Sequence, residues 1–419
     1  MGLLKRILTP NAERVWTPRS SEVNNDMFID RPQMKSLDKA FRGPYHIVIH
    51  GQSGCGKTWL YKKFFKDSRI PYVTINLNDA SRFGSIEGCY VQAIQNGEPK
   101  RKSKETVESI SSIMPYRVGF SEKNTEEFEI KTESFMHFCN YFHKKYGRKK
   151  YAIVYENFEH ALNEPGVLDG LSNALMTLDD ENFSKFNFKI VIVGVPNQIR
   201  HLVSYFNHSE TIKNRIMEVP EITGLNSDGV SELLDRGFVR KQHFVVEKKE
   251  EVYRLVEIYS LGVPQFIHDI ALSASSYAIS NDFRVIPKTI EAAALDTVEG
   301  SIFLHHSTIL ANLVNYKKHR EFVYKIIKSI ANIEANSFNF FAVTDKYNEL
   351  FPGDGFCVRD AEAFLADLCR EPNQVLAFRR DMEAYRFVSP KMKMALRVIT
   401  GLQDPTRYEL LEIDGLRLN

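Results

Sequence analysis

The stretch that most constrains the fold of this chain runs from Tyr45 to Phe65, with the sequence YHIVIHGQSGCGKTWLYKKFF. A short apolar run typical of a β-strand ends at Gly51, the segment GQSGCGKT follows, and an amphipathic helical pattern begins at Lys57. Glycine tolerates positive φ and close approach, so the backbone N–H groups of such a segment can enclose a phosphate at a helix N-terminus. The sequence therefore predicts a phosphate-binding loop between a strand and a helix.

Two side chains at the end of this loop have a defined chemistry. Lys57 is placed to reach the β- and γ-phosphates of a nucleotide, and the Thr58 hydroxyl is placed to ligate Mg²⁺. A glycine-rich turn with a surface lysine is the alternative, but the strand before and the helix after favour the phosphate loop. The nucleotide-binding candidates in this segment are Gly51, Gln52, Ser53, Gly54, Cys55, Gly56, Lys57, Thr58 and Trp59.

The composition is that of a globular chain of 419 residues, 43% hydrophobic and 26% charged, which is long enough for two or three domains. The net charge of +2 means that any attraction to nucleic acid has to come from a local surface. Five cysteines without paired spacing argue against disulfides or a zinc site and indicate a cytoplasmic protein. No apolar run reaches transmembrane length, so we expect no membrane association.

Strand-to-helix units repeat after the loop. Near-continuous apolar strands followed by helical patterns predict an α/β domain with a parallel sheet covered on both faces. The predicted strands lie within 46–50, 71–78, 151–162, 188–203 and 215–222. Residues 80–127 show no clean period and are interpreted as an insertion. Its basic run EPKRKSKE is interpreted as a solvated loop, with a contact to a phosphate backbone as the alternative.

The pattern changes to helices alone from Ser227, and a helix–helix–helix–hairpin order after Phe303 is typical of a winged helix. We therefore expect an α/β domain followed by a helical lid domain and a winged-helix domain. The N-terminal arm is expected to pack on the protein through Trp16. The expected boundaries are 1–26 for the arm, 27–224 for the α/β domain with its insertion at about 80–127, 225–300 for the lid, 301–402 for the winged-helix-like domain and 403–419 for the tail.

Acidic residues follow the third predicted strand, IVYENFE, which has the form of a Walker B element. We expect Glu156 to bind Mg²⁺. Asn157 occupies the position at which a glutamate usually polarises the attacking water, and an amide cannot accept that proton. Glu159 can lie on the same side of the turn and substitute for it. The alternative is that both glutamates are exposed acids at a helix start.

Two more polar residues are candidates for the same nucleotide site. Asn197, at the end of the next strand, is placed between the γ-phosphate and the Walker B acids, or else caps the following helix. Arg215, just before the last predicted strand, is placed to reach a neighbouring subunit's nucleotide as an arginine finger. An ion pair within the chain is an equally weighted alternative for Arg215.

The ordered segments FIDRP, GQSGCGKT, IVYENFE, VIVGVPN, KNRIMEVPEI and YSLGVPQFIHDI resemble those of AAA+ ATPases of the origin-recognition type. They are also similar to bacterial relatives that include transposon-targeting and STAND-like defence ATPases. The resemblance covers about residues 27–300 and implies ATP or ADP with Mg²⁺ as ligands. It also implies a homo-oligomer with ATP at the subunit interfaces.

The resemblance assigns further roles. Phe28 to Arg31 would border the adenine, and LGVP, ending at Pro264, would start the sensor 2 helix. Gln265 stands where such proteins often carry a phosphate-contacting arginine, and His268 one turn later either substitutes or is an ordinary helix histidine. Together with Asn157, this departure argues against fast hydrolysis.

Two functions of different classes follow. The first is an ATP-dependent switch that assembles with Mg-ATP and controls an unidentified effector protein or a DNA-linked process, in phage defence or in a mobile element. The alternative is a DNA-binding module in which nucleotide is structural, with Arg359 on the recognition helix and Arg379 and Arg380 on the wing. Acidic residues on that helix, among them Asp360, disfavour phosphate contact there.

Overall fold

The structure is a computed structural model, and it describes residues 11–83, 85–97, 126–177, 180–195, 212–301, 320–335, 337–371, 374–380 and 382–402. The chain divides into two compact units, Ser21–Thr223 and Met1–Ser20 with Gly224–Asn419. The strands of the first unit are β1 (His46–His50), β2 (Tyr72–Asn76), β3 (Tyr151–Glu156), β4 (Phe188–Gly194) and β5 (Ile216–Glu218).

These strands form one parallel sheet in the order β2-β3-β4-β1-β5. Every residue of β1 and β4 is buried, and only the last residue of β3 is partly exposed. Strands buried on both faces need continuous apolar runs, which is the pattern that the sequence carries. The predicted α/β class with a parallel sheet is confirmed.

The helices of this unit alternate with its strands. They are α2 (Gln33–Arg42), α3 (Lys57–Asp67), α4 (Ala80–Phe83), α5 (Ile86–Gly97), α6 (Glu126–Tyr146) and α7 (Pro165–Met176). The aromatic side chains of Phe135, Phe138 and Phe142 on α6 join the core, as their helical spacing predicts.

Sequence periodicity did not reveal α5. Its buried residues Ile86, Cys89, Tyr90 and Ala93 do follow helical spacing, but Gly88 and Gly97 lower its intrinsic helix propensity. Packing against α6 and α7 stabilises α5 despite this low local propensity. The start of the predicted insertion is therefore part of the core of the first unit.

The second unit is mainly helical. Its helices are α1 (Ala12–Val15), α8 (Ser227–Leu234), α9 (Lys249–Ser260), α10 (Pro264–Ser280), α11 (Pro287–Ser301), α12 (Arg320–Asn332), α13 (Phe340–Leu350), α14 (Val358–Asp367) and α15 (Pro390–Leu402). Its strands are β6 (Val245–Val246), β7 (Arg284–Val285), β8 (Ser337–Phe338), β9 (Leu376–Arg379) and β10 (Ala384–Phe387). None of the helices in the described part of the chain has the length and hydropathy needed to cross a bilayer.

The strands β8, β10 and β9 form a small antiparallel sheet, while β6 pairs with β7 in parallel. Helix α15 joins the two predicted parts of this unit, since Arg397 donates hydrogen bonds to the carbonyls of Ala331 at 2.7 Å and Ile258 at 3.3 Å. The lid and winged-helix boundaries remain predictions.

Trp16 anchors the N-terminal segment within the second unit. Its side chain is 1% exposed, and its indole Nε1–H lies 2.7 Å from Gln242 Oε1 and 3.0 Å from Ser275 Oγ. A π-helix from Asp235 to Lys241 passes the ring at Gly237. A Cβ on Gly237 would lie 2.0 Å from Trp16 Cη2, so only glycine fits there.

We predict that Gly237→Ala destabilises the second unit because the added methyl overlaps the indole. Overpacking of this kind costs about 1–3 kcal/mol, which lowers the thermal midpoint by roughly 2–4 °C per kcal/mol in a unit of this size. The matched control is Gly355→Ala in the same unit, where an added Cβ meets no atom within 4 Å. Thermal denaturation of both variants measures the effect. An unchanged midpoint for Gly237→Ala would show that the indole of Trp16 does not exclude the added methyl.

Candidate functional site

The loop between β1 and α3 has the backbone conformation that phosphate binding requires. Gly54 has φ of +82° and Gly56 has φ of +90°, a region that side-chain-bearing residues rarely adopt. These turns lead into the first turn of α3, which begins at Lys57. The N-terminus of a helix with free N–H groups and a partial positive charge therefore follows the loop directly.

The Lys57 ammonium lies against this loop. Its Nζ donates to the carbonyl oxygens of Gly51 at 2.7 Å and Gln52 at 3.0 Å. Burial lowers the pKa of Lys57, and the carboxylates of Glu159 and Glu156 are close enough to oppose that shift. The lysine is thus a desolvated cation in contact with two neutral carbonyls, an arrangement that favours an anionic ligand.

Thr58 and Glu156 meet at the carboxyl ends of the strands. Thr58 Oγ1 donates to Glu156 Oε1 at 2.9 Å, although the two residues are 98 positions apart. A hydroxyl and a carboxylate are hard oxygen donors of the kind that Mg²⁺ prefers, and Mg²⁺ sites use only one or two carboxylates beside substrate phosphates. The described residues contain no group of three or more metal-binding side chains. The Thr58–Glu156 pair therefore fits Mg²⁺ held jointly with a nucleotide.

Asn157 has a structural explanation. Its backbone is left-handed, with φ of +59°, and asparagine is one of the few residues besides glycine that adopt this conformation readily. Its Nδ2 donates to Asn76 Oδ1 at 2.7 Å, and Asn76 lies at the end of the neighbouring strand β2. The amide is engaged with β2, and Asn76 is a partner that sequence reasoning did not identify.

Glu159 lies in the short 3-10 helix Phe158–Asn163 that follows this turn. Its Oε2 is buried and accepts no hydrogen bond from any described residue. The Glu159 carboxylate also opposes the burial that lowers the pKa of Lys57. Glu159 Oε2 is thus a buried acceptor beside the phosphate loop to which no described residue donates. It is suited to accept a hydrogen bond from a ligand or water.

Tyr61 is a second residue that the sequence analysis missed. It lies one helical turn after Lys57 in α3 and is fully buried. Burial and the nearby Glu156 carboxylate raise the pKa of Tyr61. The tyrosine beside Glu156 is therefore buried and neutral. The signal available in the sequence was the i, i+4 spacing from Lys57.

Arg31 lies beside the loop. Its Nη1 donates to the Thr223 carbonyl at 2.7 Å, and Nη2 lies 3.8 Å from the position of a Cβ on Gly56. Burial lowers the pKa of Arg31. The buried ring of Phe28 packs near α3, with Lys63 Nζ 6.0 Å from its centroid. FIDRP and the phosphate loop are thus neighbours in the first unit.

Cys55 and Trp59 complete the loop segment. The Cys55 side chain is buried and its pKa is raised by that burial, so the thiol remains protonated. Trp59 is half-buried in the first turn of α3, while Ser53 is exposed at the loop.

Arg215 lies at the start of β5, the edge strand of the sheet. Because β5 and β1 are parallel and Ile216 pairs with His46, Arg215 lies at the amino end of the strands, whereas the phosphate loop follows the carboxyl end of β1. Its Nη1 lies 3.4 Å from the Met176 carbonyl oxygen and 3.1 Å from Met176 Sδ. The guanidinium is half-buried in this setting.

The other predicted site residues lie elsewhere. Asn197 is outside the described residues. Pro264 begins α10 in the second unit, after Leu261 and Gly262 in left-handed conformation. His268 on α10 is buried, which lowers its pKa to about 4, and its Nδ1 accepts the Thr17 N–H at 3.0 Å. The ring is neutral and engaged, as expected for an ordinary helix histidine.

The sequence matches no protein-family model and no curated protein. Solved structures with this fold exist. The Walker-type ATPase paby2304 of Pyrococcus abyssi is 15% identical, with 91% of this chain and 99% of that chain covered at a TM-score of 0.51. The ORC2 protein of Aeropyrum pernix, solved as ADPNP-ADP complexes, is 12% identical, with 94% and 98% covered at a TM-score of 0.53.

These similarities extend over nearly the whole of both chains, so they concern the fold of both units rather than the phosphate loop alone. At this level of identity they establish architecture. The chain has the fold of the origin-recognition-type AAA+ P-loop ATPases.

Proposed function

We propose that this protein is an ATP-binding AAA+ switch that assembles with Mg-ATP and hydrolyses ATP slowly to ADP and phosphate. The observation that carries the proposal is the 2.9 Å contact between Thr58 and Glu156 beside the Lys57 ammonium. A phosphate loop without a metal-binding acid would support nucleotide binding only. The similar Aeropyrum pernix protein was solved with ADPNP and ADP, which supports the choice of adenine nucleotide.

Each group of the site has a role in this proposal. Mg²⁺, when bound, neutralises charge on the phosphate oxygens. Thr58 and Glu156 would hold it, and Lys57 would exchange its contacts with Gly51 and Gln52 for the β- and γ-phosphates. A phosphate close to Lys57 offsets the desolvation that lowers the pKa of this lysine.

Glu159 is our candidate for the base that orients and deprotonates the attacking water. Its Oε2 is buried and free to accept a hydrogen bond from water, whereas the Asn157 amide is bonded to Asn76 and has no basic site. Glu159 lies two positions after Asn157, where the base usually stands, and this displacement supports slow ATP hydrolysis. Slow turnover is what a switch needs, because the ATP-bound state then persists.

Assembly is the proposed output of ATP binding. Arg215 lies in front of the edge strand β5, at the end of the sheet remote from its own phosphate loop, and is our candidate for an arginine finger on a neighbour's nucleotide. We assign Phe28 and Arg31 to the adenine side, Asn197 to γ-phosphate sensing and Pro264 to the start of the sensor 2 helix. We place the homo-oligomer in the cytoplasm, acting on an effector protein in phage defence or a mobile element.

A second candidate function is DNA binding through the β9–β10 hairpin. This hairpin carries Arg379, which is half-buried, and Arg380, which is exposed at its tip. An exposed arginine at the tip of a hairpin is suited to contact a phosphate. Under this alternative, nucleotide would serve as a structural ligand.

We predict that Lys57→Ala loses ATP binding and ATP-dependent assembly. Hydrogen bonds from a charged donor contribute about 1.5–3 kcal/mol, so affinity for ATP should fall by roughly 10- to 150-fold. Isothermal titration and size-resolved assembly measure both effects. Lys35→Ala on the exposed face of α2 is the control and should behave as the original protein. Assembly of Lys57→Ala at the same ATP concentration as the original protein would exclude the proposed switch.

We predict that Glu159→Gln lowers the rate of ATP hydrolysis by about 10²- to 10⁴-fold, as expected for loss of a general base, and leaves ATP binding intact. Asn157→Gly removes the amide but suits the left-handed backbone at φ of +59°. Its hydrolysis rate should remain within about tenfold of the original. Phosphate release under single-turnover conditions is measured for both variants. A larger loss of rate in Asn157→Gly than in Glu159→Gln would show that Glu159 is not the base.

For the second candidate function, we predict that replacing Arg379 and Arg380 with alanine reduces the slope of log affinity against log salt by about 2 on duplex DNA. Arg359→Ala on α14 should change that slope less, since Asp360 and Glu362 share its helix. A flat salt response in the original protein would reject DNA contact through the hairpin.

A further inference from the structure

A cavity of about 340 Å³ lies at the end of the first unit's sheet that is remote from the phosphate loop. It is an open depression located where α3 and α6 end and where the chain enters β2 and β3. We call it the basal pocket, and its lining residues are Phe65, Lys66, Arg69, Ile70, Pro71, Lys145, Tyr146 and Lys149. Since α3 has 11 residues, its two ends are roughly 16 Å apart, so this pocket cannot serve the phosphates held at Lys57.

The basal pocket is strongly and uniformly charged. Half of its lining residues are lysine or arginine, and none of them is acidic. Lys66, Arg69 and Lys149 are exposed and make no ion pair within the part of the chain that the structure describes. The nearby acid, Asp67, is bound to Lys63 at 3.0 Å.

Two neighbouring lysines of this unit donate hydrogen bonds to backbone carbonyls, unlike the exposed cations of the basal pocket. Lys150 donates to the Phe41 carbonyl at 2.9 Å, and Lys189 donates to the carbonyls of Gly43 and Tyr45. These two lysines bind carbonyl groups between the last turn of α2 and the start of β1, and cations commonly bind the carbonyls at helix C-termini. Lys66, Arg69 and Lys149 make no contact of that kind with described residues, and their ammonium or guanidinium groups face solvent.

The backbone at Arg69 adds an independent observation. Arg69 follows the end of α3 in a left-handed conformation with φ of +53°, where glycine is usual because a side chain is strained there. The Ile70 N–H closes the turn on the Phe65 carbonyl at 2.9 Å. Arginine at this position costs stability, and it places a guanidinium at the mouth of the pocket.

We propose that the basal pocket binds the phosphate backbone of nucleic acid. Phosphates in a chain present repeated charges to several cations, and an arginine fork with lysines around it suits phosphate oxygens. The apolar groups of Ile70, Pro71 and Tyr146 offer a surface for the sugar between two phosphates. Because the whole chain carries a net charge of only +2, this binding depends on the local cluster.

The test uses the full chain and a fluorescein-labelled 20-base-pair duplex, titrated between about 50 and 200 mM salt. Lys66→Glu with Lys149→Glu should weaken binding at least tenfold and reduce the slope of log affinity against log salt by about 2. The matched control is Lys35→Glu with Lys39→Glu, which has the same change of charge on exposed positions of α2 in the same unit. Equal effects of the two double variants would overturn the proposal.

Arg69→Gly separates binding from folding. Glycine suits the left-handed backbone, so the thermal midpoint should stay constant or rise. The salt slope should fall by about 1 with the loss of one phosphate contact. A raised or constant midpoint with unchanged DNA binding would contradict the assigned role of Arg69.

Two further arms identify the ligand and separate this proposal from the ATPase function. The competitors are polyglutamate of matched charge and inorganic phosphate at millimolar concentration. If either displaces the duplex from the original protein but not from the Lys66→Glu, Lys149→Glu variant, the assignment to nucleic acid is overturned. Lys57→Ala should lose ATP binding and keep the contribution of the basal pocket to DNA binding. Loss of that contribution in Lys57→Ala would overturn the independence of the two phosphate sites.

Discussion

The hydrogen bond between Thr58 and Glu156 brings together two segments that are 98 positions apart in the chain. Its geometry depends on the parallel sheet, because the residues that follow parallel strands all lie at the carboxyl end of the sheet. The loop after β1 contributes Lys57 and Thr58, and the end of β3 contributes Glu156. The buried apolar strands that hold this register are therefore what makes a phosphate and metal site available in this chain.

The first unit also separates two kinds of cation. At the phosphate loop, half-buried Lys57 lies close to two carboxylates, which is suited to a nucleotide that arrives with a divalent metal. At the other end of α3, exposed lysines and an arginine line a cavity without acids, which is suited to an anion that arrives without a metal. Helix α3 links these sites, and its length keeps their ligands distinct.

The sequence predicted most of the sheet and the phosphate loop, because buried parallel strands and glycine-dependent loops leave strong local patterns. It did not predict the bond from Asn157 to Asn76, since that bond depends on which strand becomes the neighbour of β3. Helix α5 was missed because glycines weaken its local signal. The π-helix around Trp16 also had no local signature, because Gly237 and Trp16 meet only in the folded second unit.

The most direct test of the account is a crystal structure of the protein with Mg²⁺ and a non-hydrolysable ATP analogue. We predict that Thr58 Oγ1 will be a metal ligand at about 2.0–2.1 Å, that Glu156 will bind the metal directly or through one water, and that Lys57 Nζ will contact the β- and γ-phosphates. We also predict a water held by Glu159 beside the γ-phosphate. Triphosphate bound in the loop with the metal away from both Thr58 and Glu156, or with Glu159 turned out to solvent, would contradict it.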